Sequence, residues 1–226
     1  MREEIASLQG GLIVSVQAYP GEPLRNPETM AQMARACELG GAAGIRCQGL
    51  ADIAAIRERV SIPVIGLWKA GKEDVYITPT LRHARAVWNA GADVVALDAS
   101  DNPRPDGRTF EETVAALKED DVALMADCRN IEDIRRAVAA GCDLVSTTLS
   151  HGTAAIDCGQ ADGPDIALLT QAAREFPQVP LVCEGRVHTP EDVQAARKAG
   201  AWAVVVGTAI THPTTLTSWF VDALSS

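Results

Sequence analysis

The sequence contains few aromatic residues, no excess of positive charge and no long apolar run. Phe, Trp and Tyr make up 4% of the 226 residues, so a core must be built from Ala, Val, Ile and Leu, as in a parallel sheet covered by helices. A formal net charge of −10 leaves no basic stripe to replace phosphate counterions, which argues against a nucleic-acid partner. No apolar run approaches the ~20 residues that span a bilayer, which argues against a membrane protein.

Metal and redox motifs are also absent from the sequence. No two cysteines form a C-x-x-C pair, and the four histidines lack zinc-ligand spacing. Asp98 and Asp127 are the residues that could hold a divalent ion instead. The start of the chain has no signal-peptide pattern, so we expect reduced thiols and a cytoplasmic location. The cysteines and histidines are Cys37, Cys47, Cys128, Cys142, Cys158, Cys183, His83, His151, His188 and His212.

An internal repeat organises the chain. Four short glycine-containing segments each close an amphipathic stretch and precede an apolar run, and their second glycines lie 50, 50 and 59 residues apart. Glycine suits the left-handed residue after a helix, and the β-branched run that follows suits a buried strand. A period near 50 residues is about two βα units, which predicts roughly eight units in all. The four glycines are Gly41, Gly91, Gly141 and Gly200.

These units predict an α/β fold, and specifically a (β/α)8 TIM barrel that forms a single domain over residues 1–226. Alternating strands and helices also occur in an open doubly wound sheet, but the G-x-G-x-x-G typical of a dinucleotide-binding sheet is absent. Residues 2–9 are expected to form a short helix under the barrel. Predicted strands cover 11–17, 43–46, 62–68, 93–98, 122–127, 143–148, 180–184 and 202–207. Predicted helices cover 27–39, 80–90, 109–119, 130–140, 162–176 and 189–199.

Polar residues end most of the predicted strands, and in such barrels the carboxyl ends of the strands form the active site. A single Asp or Thr there is about as often a loop or cap residue. Seven apolar runs with polar ends favour a common pocket instead. The residues concerned are Gln17, Arg46, Lys69, Asp98, Asp127, Thr147, Thr148, Glu184, Gly207 and Thr208.

Lys69 and Glu184 are the candidate catalytic residues. Lys69 follows the most apolar strand, where partial desolvation lowers the pKa of an amine and makes it a base or a nucleophile. Glu184 could pair with Lys69 across the barrel mouth and form a proton-transfer couple. The alternatives are a surface lysine and a structural salt bridge.

The ends of the last two strands predict a phosphate site. Gly185 and the Gly207–Thr208 pair provide the unhindered backbone N–H groups that barrels commonly use to bind phosphate. An ordinary strand-to-helix turn is the alternative. Arg46 and Arg186 could add positive charge, although Arg186 could equally support the loop.

Together these residues resemble the bacterial N-acetylmannosamine-6-phosphate 2-epimerases (N-acylglucosamine-6-phosphate 2-epimerases) of sialic acid breakdown. The resemblance covers almost the whole chain. Its motifs lie at residues 11–17, 20–24, 44–46, 76–80, 96–99, 104–107, 124–127, 145–150, 184–190 and 204–211.

The resemblance implies a cofactor-independent, ribulose-phosphate-binding-like barrel that epimerises C2 of a 2-acylamino sugar 6-phosphate. It implies that Lys69 and Glu184 are catalytic and that the protein is a homodimer, to which the apolar segment from Leu216 to Leu224 could contribute contacts. It also implies sugar contacts by Gln17, Arg46 and Asp127, and phosphate contacts by Gly185 and Gly207–Thr208.

Three positions depart from the family pattern. The segment after Lys69 is about two residues shorter, residues 100–103 lack the usual basic character, and His212 replaces an arginine beside the predicted phosphate loop. A related substrate, even an unphosphorylated sugar, is therefore an alternative. A Schiff-base lyase or synthase acting through Lys69 and a non-enzymatic sugar-phosphate sensor are further alternatives.

Overall fold

The computed structural model describes residues 1–150 and 163–224. His151 and Cys158, noted in the sequence, lie outside them. Eight parallel strands close into a barrel in sequence order, each paired with the next and β8 with β1. This confirms the predicted TIM barrel. The strands are β1 (Leu12–Val16), β2 (Gly44–Gln48), β3 (Val64–Leu67), β4 (Val94–Asp98), β5 (Ala123–Asp127), β6 (Leu144–Ser146), β7 (Leu181–Cys183) and β8 (Ala203–Val206).

Helices connect the strands and cover the outside of the barrel. None of those in residues 1–150 and 163–224 is long and apolar enough to cross a membrane. They are α1 (Glu3–Ala6), α2 (Pro27–Leu39), α3 (Leu50–Arg57), α4 (Leu81–Asn89), α5 (Phe110–Glu119), α6 (Ile131–Ala140), α7 (Ile166–Glu175), α8 (Pro190–Lys198), α9 (Thr208–Thr211) and α10 (Pro213–Ala223).

The repeated glycines occupy the positions that the repeat predicts. Gly41, Gly91, Gly141 and Gly200 follow α2, α4, α6 and α8, and all have φ between 80° and 106°. L-residues with a Cβ rarely adopt this left-handed conformation, so glycine ends these four helices and turns the chain toward the next strand. The same backbone requirement recurs in every second βα unit, which explains the period near 50 residues.

Strand residues alternate between two cores. Outward residues such as Ile45 and Leu124 pack against the helices, whereas inward residues such as Ile65 and Met125 fill the barrel interior. Ile5 and Leu8, from α1 and the turn after it, belong to the interior cluster. They therefore close the bottom of the barrel, as expected for residues 2–9.

Helices α3, α9 and α10 were not predicted. Gly49 precedes α3 with a φ of 87° and offers no side-chain cap, so the usual start signal of Ser, Thr, Asp or Asn is missing. Helix α9 is a single turn, and α10 begins directly after it at Pro213. Helix α10 has no buried residue. It therefore has no core-facing apolar stripe from which the sequence could predict it.

Gly66 on β3 allows two helices to pack closely against the strand. A Cβ built there would lie 2.7 Å from Cβ of Ala92, 2.8 Å from Val87 and 3.0 Å from Ile53. We therefore expect Gly66→Ala to lower the free energy of unfolding by about 1–3 kcal/mol, the usual cost of overpacking. Urea unfolding followed by circular dichroism measures this change. The exposed-site control Gln194→Ala should stay within about 0.5 kcal/mol of the parent, and equal stability of the Gly66 and Gln194 variants would contradict the packing argument.

Candidate active site

A buried ion cluster lies at the carboxyl ends of β2, β5 and β7. Arg46 NH2 donates to Oδ2 of Asp127 at 2.7 Å, and NH1 donates to Oδ1 at 3.3 Å. Arg46 Nε lies 3.1 Å from Oε1 of Glu184, within ion-pair distance but not aligned as a hydrogen bond. The Arg46 and Asp127 side chains are 1% and 0% exposed, and that of Glu184 is 12% exposed. The cluster brings together three of the predicted site residues.

The cluster contains two carboxylates and one guanidinium, so the three groups affect one another's pKa. Burial is the main cause that raises the pKa of Asp127, and the charge of Glu184 adds to it, while Arg46 opposes it. For Arg46, burial works against the charged form, but Asp127 and Glu184 outweigh it and the pKa of the guanidinium rises. Arg46 is therefore a permanent cation beside a carboxyl group that binds its proton unusually tightly.

Thr148 connects the two carboxylates. Its Oγ1 lies 2.8 Å from Oδ1 of Asp127, 3.1 Å from Oε2 of Glu184 and 2.8 Å from Oγ of Ser146. The neighbouring Thr147 has a different role, because its hydroxyl bonds the backbone O and N of Glu184 at 3.0 and 3.2 Å. Thr148 thus contacts the carboxylate of Glu184, and Thr147 positions its backbone.

Lys69 lies at the end of β3 in a desolvated environment. It forms an isolated antiparallel bridge with Ile77, so the segment before α4 folds back beside it. Its Nζ lies 5.3 Å from the centre of the Tyr19 ring. Burial first, and the charge of Arg46 second, lower the pKa of Lys69 to about 8, against the opposing effect of Glu184 and Asp127. The direction of this change in the pKa agrees with the desolvation that the sequence predicts.

The predicted direct pair between Glu184 and Lys69 is wrong. Glu184 pairs with Arg46 instead, and in the part of the chain that the structure describes no carboxylate lies within 4.0 Å of Lys69 Nζ. Arg46, with its longer side chain and permanent charge, occupies the position between Asp127 and Glu184. Glu184 acts on Lys69 only at longer range. It therefore raises the pKa of the amine by less than burial and Arg46 lower it.

The β1 end of the site holds Gln17, Tyr19 and His212. Gln17 Nε2 donates to Oγ of Ser15 at 3.0 Å. The Tyr19 ring lies 5.2 Å from the His212 ring, and Nδ1 of His212 lies 3.6 Å from Oε1 of Glu22. Burial is the main cause that lowers the pKa of His212, which favours the neutral imidazole. Sequence reasoning missed Tyr19, which lies after the end of β1, two residues beyond Gln17.

The loops after β7 and β8 present the glycines predicted for phosphate binding. Gly185 has a φ of 101°, and Gly207 caps α9, whose first residue is Thr208. Arg186 donates from Nε to the carbonyl of Gly163 at 2.8 Å and from NH1 to that of Ser150 at 3.2 Å. Arg186 therefore supports the loop, the second of its two predicted roles. Arg46 pairs with Asp127 and Glu184 in the ion cluster instead.

A polar cavity of about 390 Å³ opens at the barrel mouth, mainly among the loops after β3 and β4. Tyr76, which sequence reasoning also missed, lies between this cavity and the ion cluster, and burial with the charges of Asp127 and Asp98 raises its pKa to about 12. The cavity is lined by Gly71, Lys72, Glu73, Asp74, Tyr76, Asp98, Asn102, Arg129 and Leu149.

Within residues 1–150 and 163–224, no group of three or more His, Cys, Asp or Glu side chains could hold a metal ion.

Comparison with known proteins identifies the family. Residues 30–226 match the profile of a family described provisionally as N-acetylmannosamine-6-phosphate epimerase. A relative from Cutibacterium acnes, provisionally named N-acetylmannosamine-6-phosphate 2-epimerase, is 54% identical over 97% of this chain and 96% of its own length. The chain belongs to the N-acetylmannosamine-6-phosphate 2-epimerase family. This confirms the resemblance found in the sequence.

Two further family members support this assignment. A relative from Corynebacterium glutamicum with the same provisional name is 46% identical over 97% of this chain and 95% of its own length. The solved N-acetylmannosamine-6-phosphate 2-epimerase of Clostridium perfringens superposes with a TM-score of 0.91 at 36% identity, covering 98% of this chain and 96% of that one. The 2-epimerase fold therefore extends over nearly the whole of both chains.

The lowered pKa of Lys69 can be measured directly. After reductive ¹³C-methylation, we expect one dimethyl-lysine NMR resonance to titrate near pH 8, because burial and Arg46 disfavour the charged amine. A group with this pKa is about one tenth neutral at pH 7. Lys69→Arg should remove this resonance and thereby assign it. A midpoint above pH 10 for the Lys69 resonance would contradict the electrostatic description of the site.

Proposed function

We propose that the protein interconverts N-acetylmannosamine 6-phosphate and N-acetylglucosamine 6-phosphate by proton transfer at C2. The observation that carries the proposal is that Lys69, with its lowered pKa, and Glu184, held by Arg46 and Thr148, both lie at the barrel mouth without pairing directly. A neutral amine and a carboxyl group on two sides of one pocket are the acid and base that epimerisation requires. Membership of the 2-epimerase family supports the same substrate.

The proposed reaction acts on the open-chain aldehyde. The carbonyl at C1 makes the C2 proton acidic, and one of the two groups, Lys69 or Glu184, removes it. The negative charge that develops on the enolate oxygen is stabilised by the cationic side of the site, formed by Arg46 and protonated Lys69. The other group then protonates the opposite face of C2, which gives the epimer without a metal ion or an organic cofactor.

The substrate is proposed to span the barrel mouth. The backbone of Gly185, Gly207 and Thr208 would bind the 6-phosphate, where short loops after β7 and β8 present unhindered N–H groups. Gln17 and Asp127 would contact the sugar. The remaining polar cavity beside Tyr76 offers space for the 2-acylamino substituent on the side away from the phosphate.

The assembly and location of the enzyme are further parts of this proposal. Phe220 and Val221 of helix α10, with Leu224 directly after it, are 75%, 54% and 88% exposed. They form an apolar surface suited to contact with a second copy in a homodimer. Cys47, Cys128 and Cys183 are buried free thiols, which fits the reducing cytoplasm.

The acid–base roles predict a large loss of turnover in two variants. We expect Lys69→Ala and Glu184→Gln each to lower kcat by about 10²–10⁴-fold, the usual contribution of a positioned acid or base. Proton NMR of the phosphosugar in D₂O follows both epimerisation and exchange at C2. The exposed controls Lys198→Ala and Glu191→Gln should retain parental rates, and near-normal exchange in either site variant would contradict its role. A borohydride-stable adduct on Lys69 would instead favour the Schiff-base alternative.

The histidine at position 212 predicts weaker phosphate binding than an arginine would give. Imidazole with a lowered pKa is mostly neutral at pH 7, whereas arginine is permanently charged and can contact phosphate through two nitrogens. We expect His212→Arg to tighten binding of the 6-phosphate sugar about 10- to 150-fold, the equivalent of one charge-assisted hydrogen bond. Binding of the parent protein should improve as the pH falls toward the lowered pKa of the imidazole, although the second protonation of the phosphate, with a pKa of about 6, offsets part of the gain.

Isothermal titration with phosphorylated and unphosphorylated N-acetylmannosamine provides the measurement and its control. Only the phosphorylated sugar should respond to the substitution. Equal affinities of both sugars in both proteins would show that this pocket does not bind phosphate.

A further inference from the structure

The hydrogen-bond ladder between β3 and β4 is interrupted at the barrel mouth. The register pairs of these two strands end at Gly66↔Val95, although β4 continues as far as Asp98. Continuing the same register would bring the N–H of Trp68 to the carbonyl of Ala96, as the next slanted bond of a parallel ladder. A hydroxyl group from the segment before α4 takes the place of that bond.

The hydroxyl belongs to Thr78, which is 0% exposed. Its Oγ1 accepts from the N–H of Trp68 at 3.1 Å and donates to the carbonyl of Ala96 at 2.6 Å. A hydroxyl has one proton to donate and lone pairs with which to accept, so it satisfies both groups at once. The N–H of Asp98 donates to the carbonyl of Ile77 at 3.2 Å. Residues 77 and 78 therefore separate the two strand ends and bond the backbone groups that face the gap.

This insertion leads directly to Lys69. Thr78 bonds both backbone groups of Trp68, the residue before Lys69, because its own N–H also donates to the carbonyl of Trp68 at 2.9 Å. Ile77 then forms the antiparallel bridge with Lys69 itself. The position of Thr78 between the strands thus sets the direction in which the chain leaves β3 and the place from which the Lys69 side chain starts.

The backbone conformation of Thr78 indicates that its side chain is required. Its φ is 47°, in the left-handed region, where a β-branched residue is an outlier and glycine is free of strain. Strained residues persist where their surroundings hold them in place, and they cluster at functional sites. Glycine would lack the hydroxyl that fills the gap between Trp68 and Ala96. The two hydrogen bonds of the hydroxyl therefore explain a threonine at this position.

Resting on the acid–base role of Lys69 in the proposed function, we propose that Thr78 is a positioning residue for Lys69: its hydroxyl bridges the interrupted ladder and fixes the backbone from which the amine reaches C2. Thr78 is buried and acts through Trp68. Without the hydroxyl, the N–H of Trp68 and the carbonyl of Ala96 lose their partner, and the chain must shift to satisfy them. The Lys69 amine would then be misplaced at C2 and less shielded from water.

Three substitutions at position 78 test the role of the hydroxyl. Thr78→Val keeps the shape and removes the hydroxyl, and we expect about a 10- to 100-fold lower kcat with KM within about threefold, because a displacement of about 1 Å at a reacting group has an effect of this size. Thr78→Ser keeps the hydroxyl, and its kcat should stay within about threefold of the parent. Thr78→Gly relieves the backbone strain but lacks the hydroxyl, so it should lose as much kcat as Thr78→Val.

Thr113 provides the matched control for the loss of a buried hydroxyl. It is also 0% exposed, and its Oγ1 donates to the carbonyl of Thr109 at 2.9 Å, at the start of α5 and away from the site. Thr113→Val should lower the melting temperature and leave kcat at the parental value. Thermal unfolding followed by circular dichroism, run on all four variants, therefore separates stability from positioning.

The titration of Lys69 is a readout that a packing role would not change. Burial is the main cause that lowers the pKa of this amine, so a looser segment beside it should let the pKa rise. In Thr78→Val and Thr78→Gly, the ¹³C-dimethyl-lysine resonance of Lys69 should titrate about one pH unit higher than in the parent. In Thr78→Ser and Thr113→Val it should titrate as in the parent.

The opposite results would overturn the inference. A parental kcat in Thr78→Val or Thr78→Gly, equal losses in Thr78→Val and Thr78→Ser, or an unchanged Lys69 titration in Thr78→Val would each assign Thr78 a packing role. If Thr78→Val does not fold, Thr78→Gly carries the same test. A parent protein that neither epimerises the phosphosugar nor exchanges its C2 proton would instead overturn the proposed function, while the titration would still show whether Thr78 controls the Lys69 amine.

Discussion

The site depends on the burial of one cation, Arg46. Removing a guanidinium from water costs several kcal/mol, and the cost is recovered only when its nitrogens find well-placed anionic partners. Asp127 and Glu184 are those partners, and they come from strands on other parts of the barrel. Through these two ion pairs, Arg46 connects the end of β2 with the ends of β5 and β7. It also acts on Lys69, whose pKa it helps to lower.

Alternation along the strands explains how a small barrel holds so many polar groups. Inward residues fill the lower part of the interior with apolar side chains and end in polar ones at the mouth, as Met125 is followed two residues later by Asp127. Outward residues remain in contact with the helices. Thr147 and Thr148 show the consequence, because adjacent hydroxyls hold the backbone and the side chain of the same glutamate.

Much of this arrangement could be predicted from the sequence, because it follows from short-range patterns. Apolar runs, left-handed glycines and polar strand ends identified all eight strands, and the end positions of Arg46, Lys69, Asp127 and Glu184 placed them in one pocket. The pairing within the pocket could not be predicted. Which cation neutralises Glu184 depends on the lengths and angles of side chains from different strands, and Arg46 reaches it at 3.1 Å. Helix α3 also escaped prediction, because Gly49 gives it no capping side chain.

The scarcity of aromatic residues has a practical consequence at this site. The chain has two tyrosines, and both belong to the barrel mouth: Tyr19 lies over Lys69, and Tyr76 lines the polar cavity. Burial raises the pKa of both phenols. The near-ultraviolet absorbance of tyrosine in this protein therefore comes only from the site. Reaction of the two phenols with a nitrating reagent therefore reports on the barrel mouth without an attached label.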